Sequence, residues 1–173
     1  AITAINNYLN FRPKDTGMLK LLAREYFTMG QWNEAYIVAK NAESISPDDL
    51  VIQLMGIESR IRQIVENKND PNTSELDTFS KELSELRLKN PKNENIRILQ
   101  ALIAGYLGKI ELAESELRLA IKDCNETLNA EIQLAGLYRK TGDIVKASQI
   151  YEKACQDHPD SIKPRLGLSE TYV

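Results

Sequence analysis

The sequence predicts an all-α protein built as an array of antiparallel helix pairs, about ten helices in all. Three observations carry this. Small residues recur in ladders of identical spacing, apolar residues around each ladder fall at helical intervals, and prolines punctuate the chain at matching places. The ladders are Ala23, Gly30, Ala35, Ala42; then Ala101, Gly108, Ala113, Ala120; then Ala135, Gly142, Ala147, Ala154, each with gaps of 7, 5 and 7. The last two are offset by 34 residues and the first two by 78, which leaves room for one degenerate unit with about ten extra residues. Self-similarity at such a period is the signature of a repeat architecture.

Each element follows from its residues. Met18, Leu21, Leu22 and Tyr26 are spaced to share one helix face. Gly30, Gly108 and Gly142 stand where that kind of helix stops, because glycine accepts the left-handed conformation that ends it. Two residues later a large apolar side chain (Trp32, Ile110 or Ile144) opens the second helix. Ala23 and Ala35 then lie on facing surfaces, where the missing bulk lets two helices cross closely. Pro47, Pro91 and Pro159 close their units, with Asn125 in the corresponding place of the third.

The degenerate unit departs most. Counting back from Pro91 places its second helix on Leu76, Phe79, Leu83 and Leu86, and Phe79 in the place of a crossing alanine predicts a splayed pair. Its first helix, from about Pro47 to Asn67, runs long and ends in the polar stretch "NKNDPNTSE", with Thr73 or Ser74 as N-cap of the helix that follows. Spacing from Pro47 puts Ile57 at the crossing, whereas residue type favours Gly56.

At the ends, counting back 34 from Pro47 reaches Pro13, so residues 1–15 read as the second helix of a preceding unit, with Ala1, Ile5 and Tyr8 in the places of Ala35, Ala39 and Ala42. Residues 162–173, "IKPRLGLSETYV", read as the first helix of a following one. The complete units are 16–49, 50–93 with an insertion around 67–75, 94–127 and 128–161. An array with half units at both ends exposes apolar edges, and the expectation is a segment of a longer protein.

"LLAREYFTMGQWNEAYIVAKNAESISP" and "LAGLYRKTGDIVKASQIYEKACQDHP" resemble tetratricopeptide repeats (TPRs), including Tyr26, Tyr138 and Tyr151. "LQALIAGYLGKIELAESELRLAIKDCN" is similar but carries Ala104 where the family usually has Tyr. The resemblance covers nearly the whole chain. It implies a right-handed superhelical solenoid in which the first helices of successive pairs line a concave face that holds protein partners.

On that resemblance the concave face draws on Lys20, Arg24 and Phe27 in the first unit and on Leu54, Ile57, Glu58 and Ile61 in the second. The third contributes Asn95, Ile98, Leu102 and Tyr106, and the fourth Asn129, Ile132, Arg139 and Lys140, with Lys163 and Arg165 trailing. The middle reads apolar and both ends basic, which suits an extended peptide or an amphipathic helix. The competing reading is that Ile98, Leu102 and Ile132 pack between neighbouring helices. Chaperone-tail receptors of this family grip two carboxylates with a Lys/Asn/Arg set. Lys20 and Arg24 fit its first places, but Leu54 or Met55 replaces the Asn, and Asn95 and Leu99 replace the basic pair. Acidic chaperone tails are therefore not the expected ligand.

Composition narrows the function classes. Net charge is −3, without the basic excess that nucleic-acid binding uses. No apolar run approaches the roughly 20 residues of a membrane helix. Cys124 and Cys155 are not at zinc spacing, and Cys155 with His158, the one histidine, falls short of the four ligands zinc wants. A single histidine at an inter-repeat turn serves a Ser–His–Asp or Cys–His site poorly, and no glycine-rich phosphate loop is present. Glu111, Glu114 and Glu116 read as a solvated helix face.

The expectation is therefore a non-catalytic scaffold without cofactor or metal, binding a protein or peptide partner, with no nucleic acid and no membrane insertion. Self-association into a homo-oligomer is a second reading. A third is an accessory domain of a larger protein, such as a bacterial cell-envelope or polysaccharide-export component or a TPR-bearing glycosyltransferase, on family analogy alone. The compartment stays open between cytoplasm and periplasm.

Overall fold

Helix starts and stops recur at fixed places in the chain. The computed structural model describes residues 1–67 and 73–172, and among them it contains ten α-helices and no strand. They are α1 (Ile2–Phe11), α2 (Thr16–Thr28), α3 (Trp32–Ile45), α4 (Leu50–Glu66), α5 (Thr73–Lys89), α6 (Glu94–Tyr106), α7 (Ile110–Asp123), α8 (Leu128–Thr141), α9 (Ile144–Asp157) and α10 (Ile162–Ser169). The residues preceding α2, α4, α6, α8 and α10 are Asp15, Asp49, Asn93, Thr127 and Ser161, each two positions after the unit-closing Pro or Asn. Asp15 accepts the amide of Met18, Asp49 those of Val51 and Ile52, and Asn93 that of Ile96, so three of these helices carry side-chain caps of their own.

Gly30, Gly108 and Gly142 have φ of 71°, 74° and 86° and are the positive-φ residues among those described. They reverse the chain between α2 and α3, α6 and α7, and α8 and α9. The nine ladder alanines are all buried, none more than 5% exposed. Close helix crossings need small side chains at the contact, and these supply them.

The chain divides into two compact units, Ala1–Leu76 and Asp77–Val173, with α5 running across the division. In the first unit α1 packs on α2, α2 on α3 and α3 on α4. Leu19, Ala42 and Ile52 form a core cluster, flanked by Leu9, Val38 and Ile45. Gly56 faces α3, where a Cβ on it would lie 3.6 Å from that of Ala39, and Ile57 is buried as well. Both crossing positions named from the sequence are thus interior. Arg60 joins α4 to the start of α5 through a two-point contact with Glu75, at 2.7 and 2.8 Å.

In the second unit α6 packs on α7 and α8 on α9, while α8 also contacts α7 and α6, and α10 lies on α9 and α8. Ala101, Ala104, Ala113, Leu117, Leu134, Tyr138 and Ala147 form its core cluster. Two of the three glutamates read as a solvated face are instead structural. Glu116 accepts from Arg87 of α5 at 3.3 Å and from Arg97 of α6 at 3.0 Å. Glu114 accepts the Tyr138 hydroxyl at 2.6 Å, and only Glu111 is exposed. Their places along one helix could not distinguish them, because the deciding partners come from other helices.

The polar stretch before α5 falls largely on residues 68–72, which lie outside the described residues. Since α5 begins at Thr73, Thr73 and Ser74 are helical rather than flanking, and the residue before Thr73 lies outside the described residues.

Candidate interaction surface

The residues proposed from sequence to meet a partner lie on α2, α4, α6 and α8, and packing treats them unequally. In the first unit, Lys20 donates to Asp49 at 2.7 Å. That hydrogen bond, with the capped amides of Ile52 and Val51, holds the Asp49 carboxyl below its ordinary range. Lys20 thereby links α2 to the cap of α4. Phe27 stands edge-on to Trp32 with ring centroids 4.9 Å apart. The Arg62 guanidinium lies 5.4 Å from the Phe27 centroid and 5.5 Å from that of Trp32, and is held there by Glu58 at 2.7 Å. Cation–π contacts of this kind stabilise by about 0.5–1 kcal/mol when exposed. Arg24 is exposed and makes no ion pair among the described residues.

Leu54 and Ile61 are core residues, 7% and 0% exposed, and so offer a partner no side chain. Contrary to the expectation from sequence, they do not face a groove. Buried positions on α4 recur as Ile52, Leu54, Gly56, Ile57, Ser59, Ile61 and Ile64, a wide apolar face that sequence spacing alone divided wrongly.

In the second unit, Ile98 is half-buried against the core cluster. Leu102, Tyr106 and Ile132 are half-buried on α6 and α8. Arg139 pairs with Glu170, the residue that follows α10. Lys140 is exposed at the end of α8 and without an ion pair among the described residues. Asn129 is turned inward and donates to Glu94 at 2.9 Å.

Among the described residues no group of three or more His, Cys, Asp or Glu side chains could hold a metal ion, and no helix is long and apolar enough to cross a membrane. Cys124 and Cys155 are free and half-buried. Burial raises the Cys124 thiol above its ordinary value, which opposes thiolate reactivity.

The sequence reading missed the capping residues. Their signal was present: Asp, Asp, Asn, Thr and Ser stand at one place in five successive units.

No protein-family model and no curated protein matches the sequence. Among solved structures the chain is similar to a thermophilic TPR protein of Thermus thermophilus. Sequence identity is 22% and the TM-score 0.81, over 99% of this chain and 88% of that one. The fold is therefore that of a tetratricopeptide-repeat protein along essentially the whole chain.

Proposed function

We propose that the protein is a non-catalytic interaction scaffold, and that α6 and α8 of its second unit receive a peptide or helix of another protein. The observation that carries this reading is a set of apolar side chains left half-exposed on α6 and α8, Leu102, Tyr106 and Ile132, with Lys140 exposed at the end of α8 and without an ion pair among the described residues. An apolar strip with one charge suits an amphipathic segment, whose apolar anchors supply affinity and whose acid fixes orientation. Of the first-unit residues expected to meet a partner, Arg24 is exposed and makes no ion pair among the described residues, whereas Lys20 and Phe27 are engaged within the chain.

The test is selection of binders from a random peptide library, followed by titration of the enriched peptide into isotope-labelled protein. Chemical-shift changes should cluster on Leu102, Tyr106 and Ile132. Changes confined to α7 and α9 would rule this surface out.

A further inference from the structure

Three departures from the repeat meet at one place. Leu102, Leu117 and Gln133 are followed, 34 residues on, by Gly136, Tyr151 and Gly167. Tyr151 comes from α9, and its ring lies against α10, where a Cβ on Gly167 would overlap it. Its hydroxyl reaches α8, where a Cβ on Gly136 would stand 3.8 Å away, at ordinary contact distance. Packing therefore demands glycine at 167 but not at 136. Nor does the backbone demand it, since Gly136 is not among the positive-φ glycines. A glycine inside a helix weakens it relative to alanine. What Gly136 provides is room beside a hydroxyl.

That hydroxyl has no partner within the chain. Tyr151 is 3% exposed, yet its hydroxyl makes no hydrogen bond among the described residues. The Tyr138 hydroxyl, by contrast, is held by Glu114 and Arg118. Buried tyrosine hydroxyls ordinarily find a partner. Among the described residues the fully enclosed side-chain atoms without one are Arg97 Nε and Glu131 Oε2, so the Tyr151 hydroxyl keeps an opening to solvent. The opening lies beside Gly136, which is half-buried and four residues from both Ile132 and Lys140, on their stripe of α8.

The chemistry of the missing partner follows. Burial raises the hydroxyl above its ordinary value, so at neutral pH it is protonated and donates. Arg139 and Glu170 act on it with opposite signs and are paired with each other, so no net charge draws a carboxylate to it. A neutral acceptor fits, and the commonest one in a protein partner is a backbone carbonyl.

We propose that Tyr151 is a partner-binding residue, whose hydroxyl donates to a backbone carbonyl of an extended peptide crossing α8 at Gly136. The assignment rests on the reading of α6 and α8 as the partner surface, and it narrows the partner to an extended segment. A helix engages its interior carbonyls with its own N–H groups, whereas an extended chain carries them free. Glycine lets that second backbone come close.

The test uses the 173-residue chain and a peptide enriched on it from a random library. Tyr151→Phe should weaken binding of that peptide about threefold to tenfold, as loss of one hydrogen bond does, with an unchanged circular-dichroism spectrum. Gly136→Ala should weaken it too without lowering the melting temperature, since alanine is the better helix former and its Cβ has room. Carbon chemical shifts of the bound peptide should be those of extended backbone. A thioamide, the weaker acceptor, scanned along the peptide should at one position reproduce the loss in wild type and cost nothing further in Tyr151→Phe. A peptide that binds Tyr151→Phe as tightly as wild type, or binds as a helix, overturns the proposal. The partner surface still stands in that case if Leu102→Ala abolishes binding. Binding untouched by Leu102→Ala and by Tyr151→Phe would remove the surface and the proposal together.

Discussion

Asn129 donates its side-chain amide to Glu94 at 2.9 Å, and the same carboxylate accepts the backbone N–H of Ala130 at 3.4 Å. Thr127, which precedes α8, makes no cap of its own, and its hydroxyl donates to Glu131 instead. The first turn of α8 is therefore capped from α6, the first helix of the preceding pair. A negative group at a helix N-terminus is favourable, but Glu94 is only 4% exposed. Burial raises its carboxyl above the ordinary 4.5, and Glu126 and Glu131 nearby raise it further, against the lowering from Asn129 and Ala130.

Removing this cap should cost stability. Glu94→Ala leaves the Asn129 amide and the Ala130 N–H without their acceptor, at about 1–3 kcal/mol in urea unfolding. The pH dependence has a definite sign. Because the folded-state carboxyl lies above its unfolded value, its ionisation works against the native state at neutral pH. The penalty is relieved as pH falls through the folded value toward 4.5. Wild type should thus gain on Glu94→Gln as pH falls across that window; an unchanging difference would mean the carboxyl is not desolvated.

Glu114 should behave oppositely. It accepts the Tyr138 hydroxyl at 2.6 Å and an Arg118 N–H at 2.8 Å, and these bonds hold its carboxyl below the ordinary range. A depressed carboxyl contributes stability that is present above its unfolded value and lost as pH falls through the folded one. Carbon-detected titration should place Glu114 below Glu94. Tyr138→Phe should cost about 1 kcal/mol and move Glu114 back toward 4.5.

The glycines separate backbone strain from packing. A Cβ on Gly142 would meet nothing within 4 Å, yet its φ is 86°. Gly142→Ala should therefore destabilise by about 1 kcal/mol through the backbone alone. Gly105 lies inside α6, where a Cβ would make ordinary contact at 3.9 Å from Ala113. Gly105→Ala should stabilise by about 0.4–1 kcal/mol. Equal shifts in melting temperature for the two variants would refute this.

Ala113 and Ala147 are 1% and 0% exposed at the crossings of their pairs. Ala113→Phe or Ala147→Phe should destabilise by about 1–3 kcal/mol through overpacking. Hydrogen exchange should show the damage fading beyond the adjoining pair, since repeats couple mainly to their neighbours. A neutral result at both sites would show that the crossings lie elsewhere.

The helix pairs were legible from the chain alone because their makers are residues whose role is local. Gly30, Gly108 and Gly142 can turn where other residues strain, and alanines at 7- and 5-residue gaps have nothing to offer but smallness. The caps Asp15, Asp49 and Asn93 were legible on the same ground and went unread. Only tertiary structure decided which polar and apolar side chains face solvent. Glu94 caps the helix of the next pair, Glu116 ties α7 to α5 and α6, and Ile61 vanishes into the core while Leu166 is exposed. Each outcome depends on which helix lies alongside, and periodicity along one stretch of chain carries no information about its neighbours.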